Sequence, residues 1–478
     1  MRYISSVGRD LNLRRIYLYR FTRIINAAVL LFFSNVVQPF TIDPIDLQTP
    51  SQSSDNCKQI YKSQSQLLSG KDTKQVAILP KPPKGIAILD PSYKSCRLRV
   101  TDFKNEPPKG FARNDYSRRQ PFNADDSYML VYARNGYWHL YETATQKYYK
   151  KLNLGGGSVE PQWHPSDPKS LFVLPNNGGL KISRYNIDSD RFTTVADFTD
   201  IISINGYPGK TSILDIWPKA ARVWTKSEGS PSVDARYWAF QVETSKFSPL
   251  GLITYDLVDN VISGVFDFSK DGKGIGRPDH VSMSPSGDFV VPSWHVPNNC
   301  PNKYTHGTFK QPCGLMVYSR DFKTGFGITS RGPHSDIAID KQGNDVIVIS
   351  NYVTGYVEMH NLVNRKKTNL WKIYVGGSAT AMHFSGKSYK KPGWVLVSTY
   401  ATTKDTQWWT NKIMAVELNK RPLIYMISHT YTKDAGYWAE PHAVANRDFS
   451  KIIFNSNWLS ATQEMDVYMI ELPDNAIH

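Results

Sequence analysis

The sequence predicts an all-β protein: a seven-bladed β-propeller closed by pairing of its N- and C-terminal segments. Three observations predict it. A unit made of an apolar strand, a turn of the S-P-x-G type and two or three further strands recurs seven times after residue 110. Its copies are about 40–65 residues apart, the period of four-stranded blades with insertions. The last copy has only three clear strands, and the early segment SCRLRVTDF can supply the fourth. Such a closure removes free sheet edges.

The copies follow in order. QPFNADDSYMLVYA leads into GYWHLYETATQKYYKKL, and EPQWHPSDPKSLFVL into LKISRYNIDSDRFTTVADF. GSPSVDARYWAFQVE leads into LGLITYDLVDNVISGVFDF, and HVSMSPSGDFVVPSW into GLMVYSRDF. HSDIAIDKQGNDVIVIS precedes GYVEMHNLVNRKKTNLWKIY, and MHFSGKSYKKPGWVLVSTY precedes NKIMAVELNKRPLIYMISHTY. HAVANRDFSKIIFNSNW with DVYMIEL ends the series. The 12 Trp and 27 Tyr suit strands and core, and also suit a cleft in which rings stack on sugars.

Ahead of the repeats, six Arg precede the apolar stretch Ile24–Val37, which has the length of a signal peptide and is short for a membrane span. Residues 1–40 are therefore expected to be a signal or targeting segment, and the protein to be secreted or periplasmic without a stable membrane span. Residues 41–85, rich in Ser and Gln and ending near KPPKG, read as a polar linker, with the propeller over 86–478. The four cysteines fit two disulfides, most simply Cys57–Cys96 and Cys300–Cys313, although spacing alone leaves connectivity open.

The chain carries a net charge of +15, which becomes +10 without the six Arg and one Asp of residues 1–25. That favours an anionic partner. Nucleic acid, acidic polysaccharide and anionic membrane all qualify; no nucleic-acid motif and no dense basic run with interleaved aromatics occurs, so nucleic acid is the weakest of the three, and the chain is expected to be a monomer. No G-x-S-x-G is present, which argues against a serine hydrolase.

The repeat register singles out side chains. Counting from the turn residue of each copy, the positions four earlier are Arg119, Glu160, Glu228, His280, Asp336, Ala381 and His442. Residues two apart on a strand share a face, so His334 and His383 join them. The first strand of each blade lines the channel, so six of seven blades direct an ionisable group there. Arg119, Glu160, Glu228, His280 and His442 are read as substrate-binding. The histidines with Glu160, Glu228 and Asp336 also form a candidate divalent-metal set. The alternative is a water-filled channel with a self-satisfied polar ring.

A second metal candidate is local: His295, Cys300, His306 and Cys313 offer a zinc set, in competition with a disulfide. With His334 these give the metal-ligand expectation of His295, Cys300, Cys313 and His334, with zinc in a structural role or manganese or calcium as the ion. A third constellation, His139, His164, Tyr207 and Arg222, is expected to be catalytic. Arg would neutralise a carboxylate while His or Tyr moves a proton. His164 also stands at a turn position, and His139 lies within a strand, where each has an ordinary structural use.

The phrases EPQWHPSDP, EGSPSVDARYWAF, DHVSMSPSGDFVV, PHSDIAID, PGWVLVSTY and EPHAVANRDFSKIIFNSNW resemble those of β-propeller polysaccharide lyases, the ulvan lyases and oligogalacturonate lyases. The resemblance spans roughly residues 110–472. It implies cleavage of a uronic-acid-containing polysaccharide such as ulvan by β-elimination. From the ulvan lyases it implies His139, His164, Tyr207 and Arg222 as the catalytic set, and a structural zinc. From the oligogalacturonate lyases it implies a catalytic divalent ion held by a central cluster like His280, His334 and His442. The alternative function is a non-catalytic glycan- or protein-binding propeller. A hydrolase using Glu160 and Glu228 is a third, separable by its saturated products.

Overall fold

Seven sheets follow one another along the chain, their main strands paired antiparallel in chain order, with Ser203–Ile204 added parallel to the outer edge of blade 3 and N-terminal strands added to blades 6 and 7. Their first and last strands are Ala112–Arg113 and Tyr148–Leu152 in blade 1, and Glu160–Trp163 and Arg191–Asp197 in blade 2. Blade 3 runs from Ala220–Trp224 to Val261–Asp267, and blade 4 from His280–Met283 to Gly325–Thr329. Blade 5 runs from Ser335–Ile339 to Lys367–Lys372, and blade 6 from Ala381–Ser385 to Ile424–His429. Blade 7 takes Val444–Ala445, Lys451–Ser456 and Asp466–Glu471 from the C-terminal end and Cys96–Arg99 from the N-terminal side. This computed structural model describes residues 53–61, 67–107, 111–133, 136–272, 276–295 and 300–478. The expected signal segment 1–40 lies outside the described residues, and none of their helices is long and apolar enough to cross a membrane.

Alternation along the strands explains the ring. One face of each sheet meets the next blade, and a separate apolar cluster fills each of the seven interfaces. Met129 and Val131 of blade 1 meet Leu98 and Met469 of blade 7, and Leu130 and Leu140 meet Trp163 and Leu171 of blade 2. Phe172 meets Trp238 across blades 2 and 3, and Phe266 meets Met316 across blades 3 and 4. Val317 packs with Ile347, Val357 with Val397, and Leu396 with Phe454 around the remaining interfaces. The high aromatic content is spent largely here.

The N-terminal approach to the ring is itself structured. Within the segment whose composition reads as a linker, Ser53–Tyr61 is a helix and Leu68–Ser69 adds a fifth strand to blade 6. Ile88–Leu89 adds a fifth strand to blade 7, beside the closing strand. A Cys57–Cys96 disulfide joins the helix to that strand. Arg97 of the closing strand and Asp90 are both wholly buried and form an ion pair at 3.3 Å. The Arg97 guanidinium also lies 4.4 Å from the ring centre of Tyr431 and 5.0 Å from that of Trp458. Arg97→Met keeps the volume and strips Asp90 of its counter-charge. We expect it to destabilise the protein by about 3–5 kcal/mol in urea unfolding, because a buried charge is left without its partner.

Candidate functional site

Two innermost strands are interrupted, and the interruptions build the site. In blade 1, Arg113 pairs with Tyr132, yet the next register contact is from the Leu130 amide to the Pro121 carbonyl. Residues 114–120 therefore leave the ladder as an enlarged bulge. In blade 3, Trp224 pairs with Gln241 and the next contact is from the Ser232 amide to the Tyr237 carbonyl. Residues 225–231 leave the ladder in the same way. Bulges of this kind re-aim side chains. Here they bring Arg118 against Glu228 and Arg119 against Thr225.

Arg118 spans the channel. Its main chain accepts a hydrogen bond from Ser230 Oγ at 2.6 Å, and its Nε donates to the Ser335 carbonyl of blade 5 at 2.6 Å. Its Nη1 pairs with Glu228 and lies 3.4 Å from His280 Nδ1. The same ring nitrogen is 3.2 Å from Asp279 and 3.7 Å from Glu228. Burial, then the Arg118 charge, holds His280 below its ordinary pKa, so the ring is neutral at neutral pH.

Three further histidines converge beside this group. The His334 and His383 rings stack with centres 4.5 Å apart, and His383 and His442 are 4.0 Å apart. Glu440 joins them, its Oε2 lying 2.7 Å from His383 Nε2 and 3.4 Å from His442 Nε2. Tyr116 covers the group with its ring centre 4.5 Å from that of His442, and Tyr400 stacks on His383 at 4.9 Å. His334 Nδ1 meets the Met382 carbonyl at 3.0 Å, which fixes the proton there and leaves Nε2 as an acceptor.

Burial is the main cause that lowers all three pKa values. His334 falls to about 3, with further lowering from His383 and Arg118. His383 and His442 fall well below the ordinary value, with Arg118, Arg113 and the neighbouring rings contributing. Burial pushes the Glu440 carboxyl up. Both ring nitrogens of His442 are buried without a hydrogen-bond partner, a costly arrangement that a ligand would relieve. His383, Glu440 and His442 each place one donor atom within 4.8 Å of the others. Neutral imidazoles plus a carboxylate form a donor set suited to manganese or zinc, so the residues fit a divalent ion.

The carboxylates in the rest of the ring are satisfied internally. Glu160 accepts from the Thr225 amide at 3.0 Å and the Thr225 hydroxyl at 2.7 Å, and faces Arg119 at 3.6 Å. Asp336 accepts from the Gly386 amide at 2.7 Å and pairs with Lys387 at 3.0 Å. These two carboxylates are structural partners, and the self-satisfied alternative describes that half of the channel. Of the expected substrate-binding residues, Glu228, His280 and His442 stand at the site, while Arg119 and Glu160 pair beneath it.

The local zinc set is corrected. Cys300 and Cys313 form a disulfide, so neither sulfur is a free thiolate, and His295 and His306 are exposed. The disulfide staples the long Pro- and Asn-containing loop of blade 4. Of the four expected metal ligands, His334 alone stands in the cluster.

The structure does not bring the quartet of His139, His164, Tyr207 and Arg222 together. His139 is buried in a strand of blade 1, where its Nδ1 meets Tyr148 at 3.3 Å. His164 ends the first strand of blade 2, opposite the end where Glu160 stands, and its Nδ1 accepts from the Asp167 amide at 3.0 Å. Tyr207 packs half-buried against the core between blades 2 and 3. Arg222 donates to the Asn177 carbonyl at 2.6 Å and stacks on Phe247 at 3.9 Å. Each has its own structural employment.

The fold and this site define a propeller with a metal-competent histidine cluster in its channel. Among solved structures, an oligogalacturonate lyase in complex with manganese is similar in fold, with a TM-score of 0.54 and 11% identity. The alignment covers 82% of this chain and 96% of that one. An oligogalacturonate lyase from Vibrio parahaemolyticus aligns with the same TM-score at 9% identity, over 82% of this chain and 97% of its own. No protein-family model matches the chain, and none of the curated proteins matches it significantly.

A histidine with a lowered folded pKa takes up its proton only in the unfolded chain between the two values. Stability conferred by neutral His334 is therefore complete above about pH 6.5 and is lost as pH falls toward its folded value near 3. Urea midpoints of metal-free protein should drop between pH 7 and pH 5, and His334→Asn should flatten that slope.

Proposed function

We propose that the protein is a polysaccharide lyase that cleaves a uronic-acid-containing chain by β-elimination in this site. One observation carries the reading. A largely buried cluster of three neutral imidazoles and one carboxylate, with the ring nitrogens of His442 lacking hydrogen bonds, adjoins the Arg118, Glu228, Asp279 and His280 group. The fold likeness to a manganese-bound oligogalacturonate lyase and the net charge of +15 support it. The two disulfides support action in an oxidising, exported setting.

His334, His383, His442 and Glu440 hold the divalent ion in this reading. When bound, the ion supplies positive charge that offsets the uronate carboxylate and makes the C5 proton more acidic. Arg118 adds a fixed guanidinium on the same side. With Nδ1–H directed to Asp279, neutral His280 presents Nε2 as the base that takes the C5 proton. Burial, then the Glu228 charge, keeps the Tyr116 hydroxyl protonated. Tyr116 gives that proton to the leaving oxygen as the C4–O bond breaks and the C4–C5 double bond forms.

Ultraviolet absorbance with polygalacturonate, ulvan, glycosaminoglycans and alginate tests this, because the new double bond is conjugated to the carboxylate. A rise with one polymer, abolished by chelator and restored by manganese, is expected. His280→Ala should lower kcat by about 10²–10⁴-fold while elemental analysis still finds the metal. His442→Ala should lose the metal and the activity together. Binding of a polymer without any absorbing product would return the protein to the non-catalytic glycan-binding reading.

A further inference from the structure

Next to the cluster lies a cation that none of these steps uses. Arg113 ends the first segment of blade 1, and the following Asn114 donates from Nδ2 to the His442 carbonyl at 2.7 Å. Arg113 is 4% exposed. Its Nε and Nη2 donate to the carbonyls of Asn114 at 3.1 Å and Asp115 at 2.7 Å. Its Nη1 is buried with no hydrogen-bond partner, and among the described residues no carboxylate lies within ion-pair distance, while Asp115 and Glu440 feel the Arg113 charge from farther off. A buried guanidinium nitrogen left unpaired is unfavourable, and an arriving anion would relieve it.

Above this guanidinium stand two aromatic rings. Arg113 lies 5.1 Å from the ring centre of Trp438 and 5.9 Å from that of Tyr437. Trp438 is fixed edge-on to Phe111 at 5.6 Å. Tyr437 sits edge-on to Trp438 at 5.3 Å, yet is 54% exposed. The turn that carries it is pinned. The Gly436 amide donates to Asp434 at 3.0 Å, the Ala439 amide to the Gly436 carbonyl at 2.8 Å, and Gln463 to the Ala435 carbonyl at 2.8 Å. Gly436 has φ of 92°, a conformation that side-chain-bearing residues seldom adopt. Three residues past Tyr437 stands Glu440 of the cluster. An ordered, half-exposed aromatic ring beside a buried guanidinium with an unpaired nitrogen is prearranged for a ligand with an apolar face and a negative charge.

We propose that Tyr437 and Arg113 form a second sugar subsite, in which one pyranose ring stacks on Tyr437 and its carboxylate is drawn by the Arg113 charge. This deepens the lyase reading and rests on it for the sugar-acid identity of the ligand. The preferred substrate is then an anionic oligosaccharide of at least two residues, one in the cluster and one on Tyr437.

Calorimetric titration of trisaccharides tests the subsite apart from catalysis. The probes are trigalacturonate, a uronate trisaccharide from ulvan, and neutral trigalactose, each added to wild-type protein, Tyr437→Ala and Tyr437→Phe. We expect one uronate trisaccharide to bind, Tyr437→Ala to weaken it about tenfold, and Tyr437→Phe to stay near wild type, because the ring face does the stacking. Equal thermal midpoints for the three proteins confirm folding. Unchanged affinity in Tyr437→Ala, equal affinity for neutral trigalactose, or no binding of either uronate probe would overturn the proposal. Tyr437-dependent binding without an absorbing product would sink the lyase reading and leave the subsite standing. Product formation with an unaltered KM in Tyr437→Ala would do the reverse.

Discussion

Antiparallel pairing of Cys96–Arg99 with Asp466–Glu471 is the interaction on which the rest of the structure depends. It joins residues more than three hundred positions apart and completes the blade that seals the ring. Without it, Leu98, Met469, Met129 and Val131 would leave the interface between blades 7 and 1 unfilled. The functional groups depend on it just as directly. Asn114 of blade 1 holds the carbonyl of His442 next to blade 7, and Arg118 of blade 1 reaches Ser335 of blade 5. The first contact exists only if the first and last blades are neighbours, and the second only if blade 5 faces blade 1 across the channel. The Cys57–Cys96 disulfide and the buried Asp90–Arg97 pair add covalent and ionic restraint at that seam.

The fold was legible because period-2 alternation and S-P-x-G turns are local signals that recur once per blade. Closure was legible from a count, since blade 7 lacked a strand that SCRLRVTDF could supply. Part of the site was legible for the same reason: His280 and His383 lie in innermost strands, and His442 two residues before one. The rest failed where strands stop being regular. Arg118 and Tyr116 sit in a bulge that breaks the two-residue alternation, so the register counted onto Arg119 and passed over its neighbours. Glu440 stands two residues before His442 in EPHAV, and that short acid-x-His spacing was the available signal. The quartet failed for another reason. Chain order and spacing carry no information about which end of a strand a side chain occupies, and His164 stands at the end remote from Glu160.

The channel divides into two electrostatic halves. Arg119 with Glu160 and Lys387 with Asp336 are matched pairs whose charges offset each other in place. The other half keeps its imidazoles neutral, first by burial and then by the nearby guanidiniums of Arg118 and Arg113. Neutrality is what a histidine ligand needs, because a protonated ring cannot donate a lone pair. The same cations that secure neutrality therefore prepare the cluster for metal.

Those two guanidiniums are not equivalent. Arg118 is balanced by Glu228, so it supplies direction and little net charge. Arg113 has no carboxylate within ion-pair distance among the described residues, only the longer-range Asp115 and Glu440, and it lies beside the half-exposed Tyr437. A metal ion in the cluster would add further positive charge that Glu440 alone does not cancel. With the ion bound, its two charges and the two guanidiniums would outweigh Glu228, Asp279 and Glu440 by one positive charge. On the proposed reading, a polyanion would supply that charge, whereas a neutral glycan would fill the same volume and leave Arg113 Nη1 unpaired.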